Sequence, residues 1–282
     1  MRRPLFYRKD KAKSSFVLHI PVAKYTPREK LGTSIRKPLS SLVLLRYNPG
    51  VMSPHPIPII AIDGTTASGK GTIAYKLAQY FGFHYLNSGA LYRLVAYEAL
   101  SNGVALDDKD GLVKIAQSIH PIFTDKQVII NGVDVWPIIG TQTYGNPASL
   151  VSRIPEVRDA IMGRQREMIH TPGLVAEGRD MCTRIFPDAS VKLYFDADAR
   201  VRAERRFKDE QEIKSGKTFE QILEEVLVRD ERDKNKPVGR LYPAEDALVV
   251  DSTHMNRDEV MAACIEWCEK HGVKKHSGIT KY

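Results

Sequence analysis

A glycine-bounded loop between an apolar strand and a helix constrains this chain more than any other feature. Gly64-Thr-Thr-Ala-Ser-Gly-Lys70-Gly-Thr72 follows the apolar run Ile57 to Ile62. It leads into Thr72 to Phe81, where Ile73, Leu77 and Phe81 recur at helical spacing. Strand, GxxxxGK and helix in register are the setting in which backbone N–H groups cradle a polyphosphate. The helix N-terminus adds about half a positive charge, and Lys70 supplies a mobile cation for β- and γ-phosphates. Glycines serving only turn geometry leave the lysine after the second glycine unexplained. The candidate phosphate-binding residues are therefore Gly64, Thr65, Thr66, Ala67, Ser68, Gly69, Lys70, Gly71 and Thr72. In many such loops a Ser or Thr follows the lysine and reaches Mg2+. Here that position is Gly71.

The 282 residues suffice for one large α/β domain with an insertion. No apolar run approaches the roughly 20 residues of a membrane-spanning helix. The net charge of +8 is unevenly placed: residues 1–51 hold twelve Lys/Arg against two Asp/Glu, which leaves −2 for the rest. That balance speaks against a nucleic-acid surface outside the basic tail. The tail shows no sustained period and carries Pro4, Pro21, Pro27 and Pro38, so disorder is expected. Three readings of it stay open: translation starting at Met52, a solvated extension, and a targeting or RNA-binding arm. Cys182, Cys264 and Cys268 form no metal-type pair, and a reducing, cytoplasmic setting is expected. The i, i+4 spacing of Cys264 and Cys268 fits the buried face of a helix.

Strands and helices alternate through the body, which predicts a parallel sheet covered on both faces. Expected helices cover 88–101, 199–214, 219–232 and 259–270, and expected strands cover 174–176, 191–195 and 247–250. Val128-Ile-Ile, Asn131-Gly132, Val133-Asp-Val reads as an antiparallel hairpin on an Asn-Gly turn, and hence as a small lobe. A set of arginines follows the loop: Arg93, Arg158, Arg179 beside Asp180, Arg202, Arg205 and Arg206 on one helix face, and Arg229 four residues before Asp233. Each alone reads as a surface charge. Arg179 and Asp180 stand out because they follow a strand, where open α/β sheets bind ligands.

From about Ile57 to Lys270 the chain resembles bacterial-type cytidylate kinase, a member of the nucleoside monophosphate kinase group. The resemblance rests on IAIDGTTASGKGT, NSGALYR, IINGVDV followed by NPAS, VRDAIMGRQR, LVAEGRDMCT, IFPDASVKLYFDAD, RDERDKN and DALVVDST, in order. It implies an α/β P-loop kinase fold: a three-layer parallel sheet, a small antiparallel insertion that binds the nucleoside monophosphate, and a helical lid. The expected boundaries are a core of 57–106, 172–198 and 245–272, an insertion at about 107–171 and a lid at about 199–240, within a domain of 52–282.

The resemblance further implies transfer of the ATP γ-phosphoryl group to CMP or dCMP, with Mg2+ held mainly by phosphates and water, in a monomer. It implies that Ser88, Arg93 and Arg179 hold sugar or acceptor phosphate, Ser149, Arg158 and Asp180 surround the cytosine, Arg229 and Asp233 lie on the ribose side, and Lys236 is a further substrate-binding residue. Lys70, Arg179 and the lid residue Arg205 are the implied catalytic cations. Asn87, Cys182 and Lys236 depart from the family's usual Asp, Gly and Arg, which puts the contact made by Lys236 in doubt. Kinases for adenylate, thymidylate or shikimate remain as rivals, as does an ATP-dependent nucleic-acid-binding protein anchored by the tail.

Overall fold

A computed structural model of the chain describes residues 6–10, 15–19, 57–124, 127–212, 216–236 and 238–276. The centre is β3 (Ile59–Gly64), buried at every position. Alternate side chains of a strand point to opposite faces, so uninterrupted burial means that both faces are covered. The same holds for β8 (Leu174–Gly178). Both strands are short apolar runs followed at once by a polar turn, the pattern of a central parallel strand.

Five strands run parallel in the order β10 (Leu248–Asp251), β9 (Val191–Asp196), β3, β8, β4 (His84–Asn87). Helix α1 (Lys70–Phe81) starts behind the glycine loop and buries Ile73, Leu77 and Phe81, the residues that the spacing picked out. It packs on β8 and against α9 (Arg257–Lys270), whose buried Cys264 and Cys268 fit the face expected of them. Helix α2 (Ser88–Ser101) also packs on β8 and carries α3 (Lys109–Ser118). All three cysteines are free.

Because β8 and β9 flank β3, the chain crosses the sheet in opposite senses from its centre. The carboxyl ends of these strands therefore open a crevice at a topological switch point. Gly64 turns the chain out of β3 there. Its φ of 154° and the Phe195 backbone beside it leave no room for a Cβ.

The expected hairpin is present as β6 (Val128–Ile130) and β7 (Val133–Asp134). Asn131 and Gly132 sit at φ of 51° and 80°, the positive pair that a type I′ turn requires. Pairing of β6 with β5 (Ile122–Phe123) makes it a three-stranded sheet, a strand too short to be read from periodicity. Three helices follow: α4 (Trp136–Ile139), α5 (Gly145–Val151) and α6 (Pro155–Glu167). Further on, α7 (Ala199–Glu212) and α8 (Phe219–Lys234) pair as a hairpin around their own small core of Ala203, Ile222 and Val226. Among the described residues no helix is long and apolar enough to cross a membrane.

The expectation of disorder throughout 1–51 is corrected at two places. Strands β1 (Phe6–Asp10) and β2 (Ser15–His19) pair antiparallel, and β2 adds in parallel to β10. The open edge of β10 offers unpaired backbone groups, and Ser15-Phe-Val-Leu-His is a strand-compatible run within a basic segment. The remainder of 1–51 lies outside the described residues.

The paired strands join the outer side of β10, and among the residues whose burial is described the main core begins at Ile59. A chain beginning at Met52 is therefore expected to fold and to melt in one cooperative transition. An insoluble product, or loss of that transition, makes the hairpin an integral part of the domain.

Candidate active site

The loop after β3 is shaped by three local contacts. Thr65 N–H donates to the Phe195 carbonyl at 3.1 Å, Thr65 Oγ1 donates to Asp196 Oδ1 at 3.0 Å, and Ser68 Oγ donates to the Thr65 carbonyl at 2.9 Å. Ala67 and Gly69 take positive φ of 56° and 84°, which curls the backbone around a concavity. No side chain caps the N-terminus of α1, so its first N–H groups have no side-chain acceptor. Lys70 lies 3.6 Å from Glu177 at the end of β8. Burial and the nearby Arg179 push the Lys70 ammonium down to about 8, against the pull of Glu177.

Beside the loop is a cavity of about 260 Å3. Its lining includes Lys70, Ser88, Arg93, Ser149, Arg158, Arg179, Asp180, Arg229, Asp233 and Lys236. Every candidate acceptor-side residue thus meets in one place, although they span 88 to 236 in the chain. Each comes from an element end or an inward helix face: the start of α2 for Ser88 and Arg93, α5 for Ser149, α6 for Arg158, the turn after β8 for Arg179 and Asp180, and α8 for Arg229 and Asp233.

One side of this cavity is a buried ion pair. Arg158 donates to Asp180 Oδ2 at 2.5 Å and to the Ser152 carbonyl at 3.1 Å, and its guanidinium lies 5.5 Å from the Tyr92 ring centroid. Gly239, at φ of 71°, passes directly over this pair. A Cβ there would strike the Arg158 guanidinium and the Asp180 carboxylate. Neither Tyr92 nor Gly239 was legible beforehand, since both act by closeness across the fold.

The other side gathers positive charge. Arg179 Nε donates to Asp233 Oδ2 at 2.8 Å, and Lys236 Nζ lies 2.9 Å from Asp233 Oδ1. Burial works to raise the Asp233 carboxyl, but Arg179, Lys236 and Arg229 together hold it well below the usual carboxylate range. Arg229 has no hydrogen-bond or ion-pair partner among the described residues. Burial and the adjacent Arg179 push it down to about 10. An anion placed among Lys70, Arg179 and Arg229 relieves both the burial cost and the mutual repulsion of these cations.

A hidden brace joins the two sides. Asp63, fully buried at the end of β3, accepts from the N–H groups of Met181 and Cys182, each at 2.8 Å. Burial raises its carboxyl to about 6 despite these bonds. The turn Met181–Ile185 that it holds begins directly after Asp180.

The departures from the family pattern have local reasons. Asn87 caps α2 by accepting from Ala90 N–H at 3.0 Å, a bond an aspartate makes equally well. The Cys182 thiol points at the Ala61 carbonyl, 3.4 Å away, in the core. Lys236 keeps a charge on Asp233 without a two-pronged contact.

The three arginines of α7 do not act as one cationic face. Arg202 is buried against Asp230, and Arg206 pairs with Glu225 of α8. Arg205 donates to Ser252 Oγ at 3.0 Å and to the Ser252 carbonyl at 2.6 Å. Arg205 is not among the lining of that first cavity. It lines a second cavity of about 440 Å3 on the other side of the loop, with Ala67, Ser68, Gly69, Thr72, Asn256 and Arg257. Ser252 falls within the DALVVDST motif but was assigned no role there, and Asn256 and Arg257 carried no motif signal; all three become candidates through this neighbourhood.

Comparison with known proteins follows the same lines. A family model described as cytidylate kinase matches residues 60–270. The chain is 44% identical over 221 residues to a cytidylate kinase of Aeromonas salmonicida (strain A449), covering 77% of this chain and 96% of that protein. It is 43% identical over 218 residues to one of Proteus mirabilis (strain HI4320), covering 76% and 97%. It is also 43% identical over 213 residues to one of Burkholderia ambifaria (strain MC40-6), covering 76% and 93%. The chain belongs to the cytidylate kinase family.

Proposed function

We propose that this protein transfers the γ-phosphoryl group of ATP to CMP or dCMP, giving ADP and CDP or dCDP. The observation that carries the proposal is the cavity in which the Arg158–Asp180 pair faces a cluster of Lys70, Arg179 and Arg229. A carboxylate accepts from the exocyclic amino group of cytosine, and a guanidinium donates to its ring acceptors. Uracil lacks that donor and leaves Asp180 without its bond, a penalty that discriminates strongly in a buried site. On this reading Ser149 completes the base contacts, Arg229, Asp233 and Lys236 face the sugar and phosphate, and Ser88, Arg93 and Arg179 hold the acceptor phosphate. The loop from Gly64 to Thr72 holds the polyphosphate of ATP, and the cavity lined by Arg205, Asn256 and Arg257 takes its nucleoside end.

The acceptor needs no general base. A phosphate monoester has its second pKa near about 6, so at neutral pH it is already a nucleophilic dianion. Rate enhancement then comes from alignment and from neutralising charge on the transferred group. Lys70, Arg179 and Arg229 line one cavity, which supports their acting on that charge. Mg2+, which would be held mainly by phosphate oxygens and water, would supply further charge neutralisation. The small antiparallel sheet with its helices on one side, and the α7–α8 hairpin on the other, enclose the reaction and exclude water.

Three measurements test the proposal. Lys70→Ala is expected to lower turnover by about 10²–10³-fold or more with the fold retained; turnover within a few-fold of the unaltered chain sinks the phosphate-loop assignment. Asp180→Ala and Arg158→Ala are expected to cost about 1–3 kcal/mol each in kcat/KM for CMP while ATP affinity holds. If both phosphorylate CMP normally in a coupled assay with CMP, dCMP, UMP and AMP, the cytosine pocket lies elsewhere. The third concerns pH. Lys70 is charged below about 8 in the free enzyme, and kcat/KM reports free-enzyme ionisations. Hence kcat/KM for ATP should fall as pH rises through 8, whereas kcat should fall only at higher pH, because bound phosphate favours the charged lysine. Coincident alkaline limbs in the two profiles contradict this.

A further inference from the structure

The sequence places Arg202 among surface arginines of a lid, yet it is one of the most buried charged groups in the protein, 3% exposed. All three nitrogens of its fork donate. Nε donates to the Ala197 carbonyl at 2.9 Å, where β9 gives way to α7. One terminal nitrogen donates to Asp230 Oδ1 at 3.1 Å and to the Thr66 carbonyl at 3.3 Å, and the other donates to Asp230 Oδ2 at 2.5 Å. A single guanidinium therefore joins the phosphate loop, the end of a central strand and α8.

The placement of Asp230 gives this junction its meaning. It lies between Arg229 and Asp233 on α8, and both of those line the acceptor cavity. Anchoring Asp230 to Arg202 fixes the rotation of α8 about its axis, and with it the direction in which Arg229 and Asp233 project. Thr66, which Arg202 holds through its carbonyl, lines the same cavity beside Lys70. The α7–α8 hairpin buries its apolar residues in its own cluster, separate from the main core. Its ties to the phosphate loop are polar: Arg202 to Thr66, and Arg205 to Ser252, whose hydroxyl donates to the Ser68 carbonyl at 3.3 Å.

We infer that Arg202 is a positioning residue that sets the register between the ATP-binding loop and the acceptor-binding face of α8. It touches neither substrate. It aligns donor and acceptor by holding Thr66 and Asp230 on one planar group. This rests on the function proposed above.

The test compares Arg202→Lys and Asp230→Asn with the unaltered chain. Lysine keeps the charge but cannot hold both partners in one plane. Arg202→Lys is expected to lower kcat by about 10²-fold, the scale of a misaligned reactant pair, and to raise KM for ATP and for CMP together. Asp230→Asn leaves the Thr66 contact in place, so it should raise KM for CMP and not KM for ATP. A purely structural role would lower the melting temperature and the folded fraction without that split between the two KM values. If Arg202→Lys fails to fold, the Asp230→Asn split carries the test. Equal changes in both KM values for Asp230→Asn, or no kinetic change in either variant, overturn the inference.

Hydrogen exchange gives a readout that does not depend on CMP turnover. A non-hydrolysable ATP analogue should slow exchange of α8 amides in the unaltered chain and not in Arg202→Lys. Equal slowing in both overturns the coupling. Should the unaltered chain leave CMP unphosphorylated, the proposed function fails, and the exchange result still decides the role of Arg202.

Discussion

The carboxylate of Asp63 holds the two halves of the site together. The glycine-bounded loop leaves the sheet at Gly64, one residue after it. The turn that presents Arg179 and Asp180 is pinned by the N–H groups of Met181 and Cys182 on the same carboxylate. The separation between the loop and this turn is thereby set inside the core, where packing is dense and side chains have little freedom. The cost appears in the same group, whose carboxyl is raised to about 6 by burial. Two backbone donors make the charged form tolerable at neutral pH.

Around this brace the charges are arranged so that the cavity is incomplete without an anion. Asp233 takes Arg179 and Lys236, Glu177 lies beside Lys70, and Arg158 is tied to Asp180. Arg229 remains over, partly buried and with no partner for its guanidinium among the described residues. Positive charge in excess of its buried partners is the electrostatic form of a phosphate site. The paired residues stay ordered enough to keep their geometry when a ligand arrives.

The sequence revealed what is local. Helix 88–101 was read to the residue, because its polar cap and apolar spacing lie within one turn of its ends. The phosphate loop was legible because strand, glycines, lysine and helix are contiguous. The Asn-Gly hairpin was visible for the same reason, but the two-residue strand Ile122–Phe123 that completes its sheet was too short to show a period. The acceptor residues were named through the resemblance to the family; spacing alone left each arginine a surface charge. Burial of Arg202, the roof formed by Gly239 and the brace at Asp63 depend on contacts between residues as far as 136 positions apart. Those contacts follow from strand order, which no short stretch of sequence encodes. The strands within 6–10 and 15–19 were masked by proline and charge in the surrounding segment and by the absence of any partner nearby in the chain.

Those two strands also change what the sheet presents to other molecules. Without them the border of the sheet would be β10, Leu-Val-Val-Asp, an apolar strand with open backbone groups of the kind that templates association. With them the border is Phe-Tyr-Arg-Lys-Asp, in which three of five residues are charged. These two strands thus alter the colloidal behaviour of the enzyme, by replacing an adhesive margin with one that resists strand-to-strand pairing.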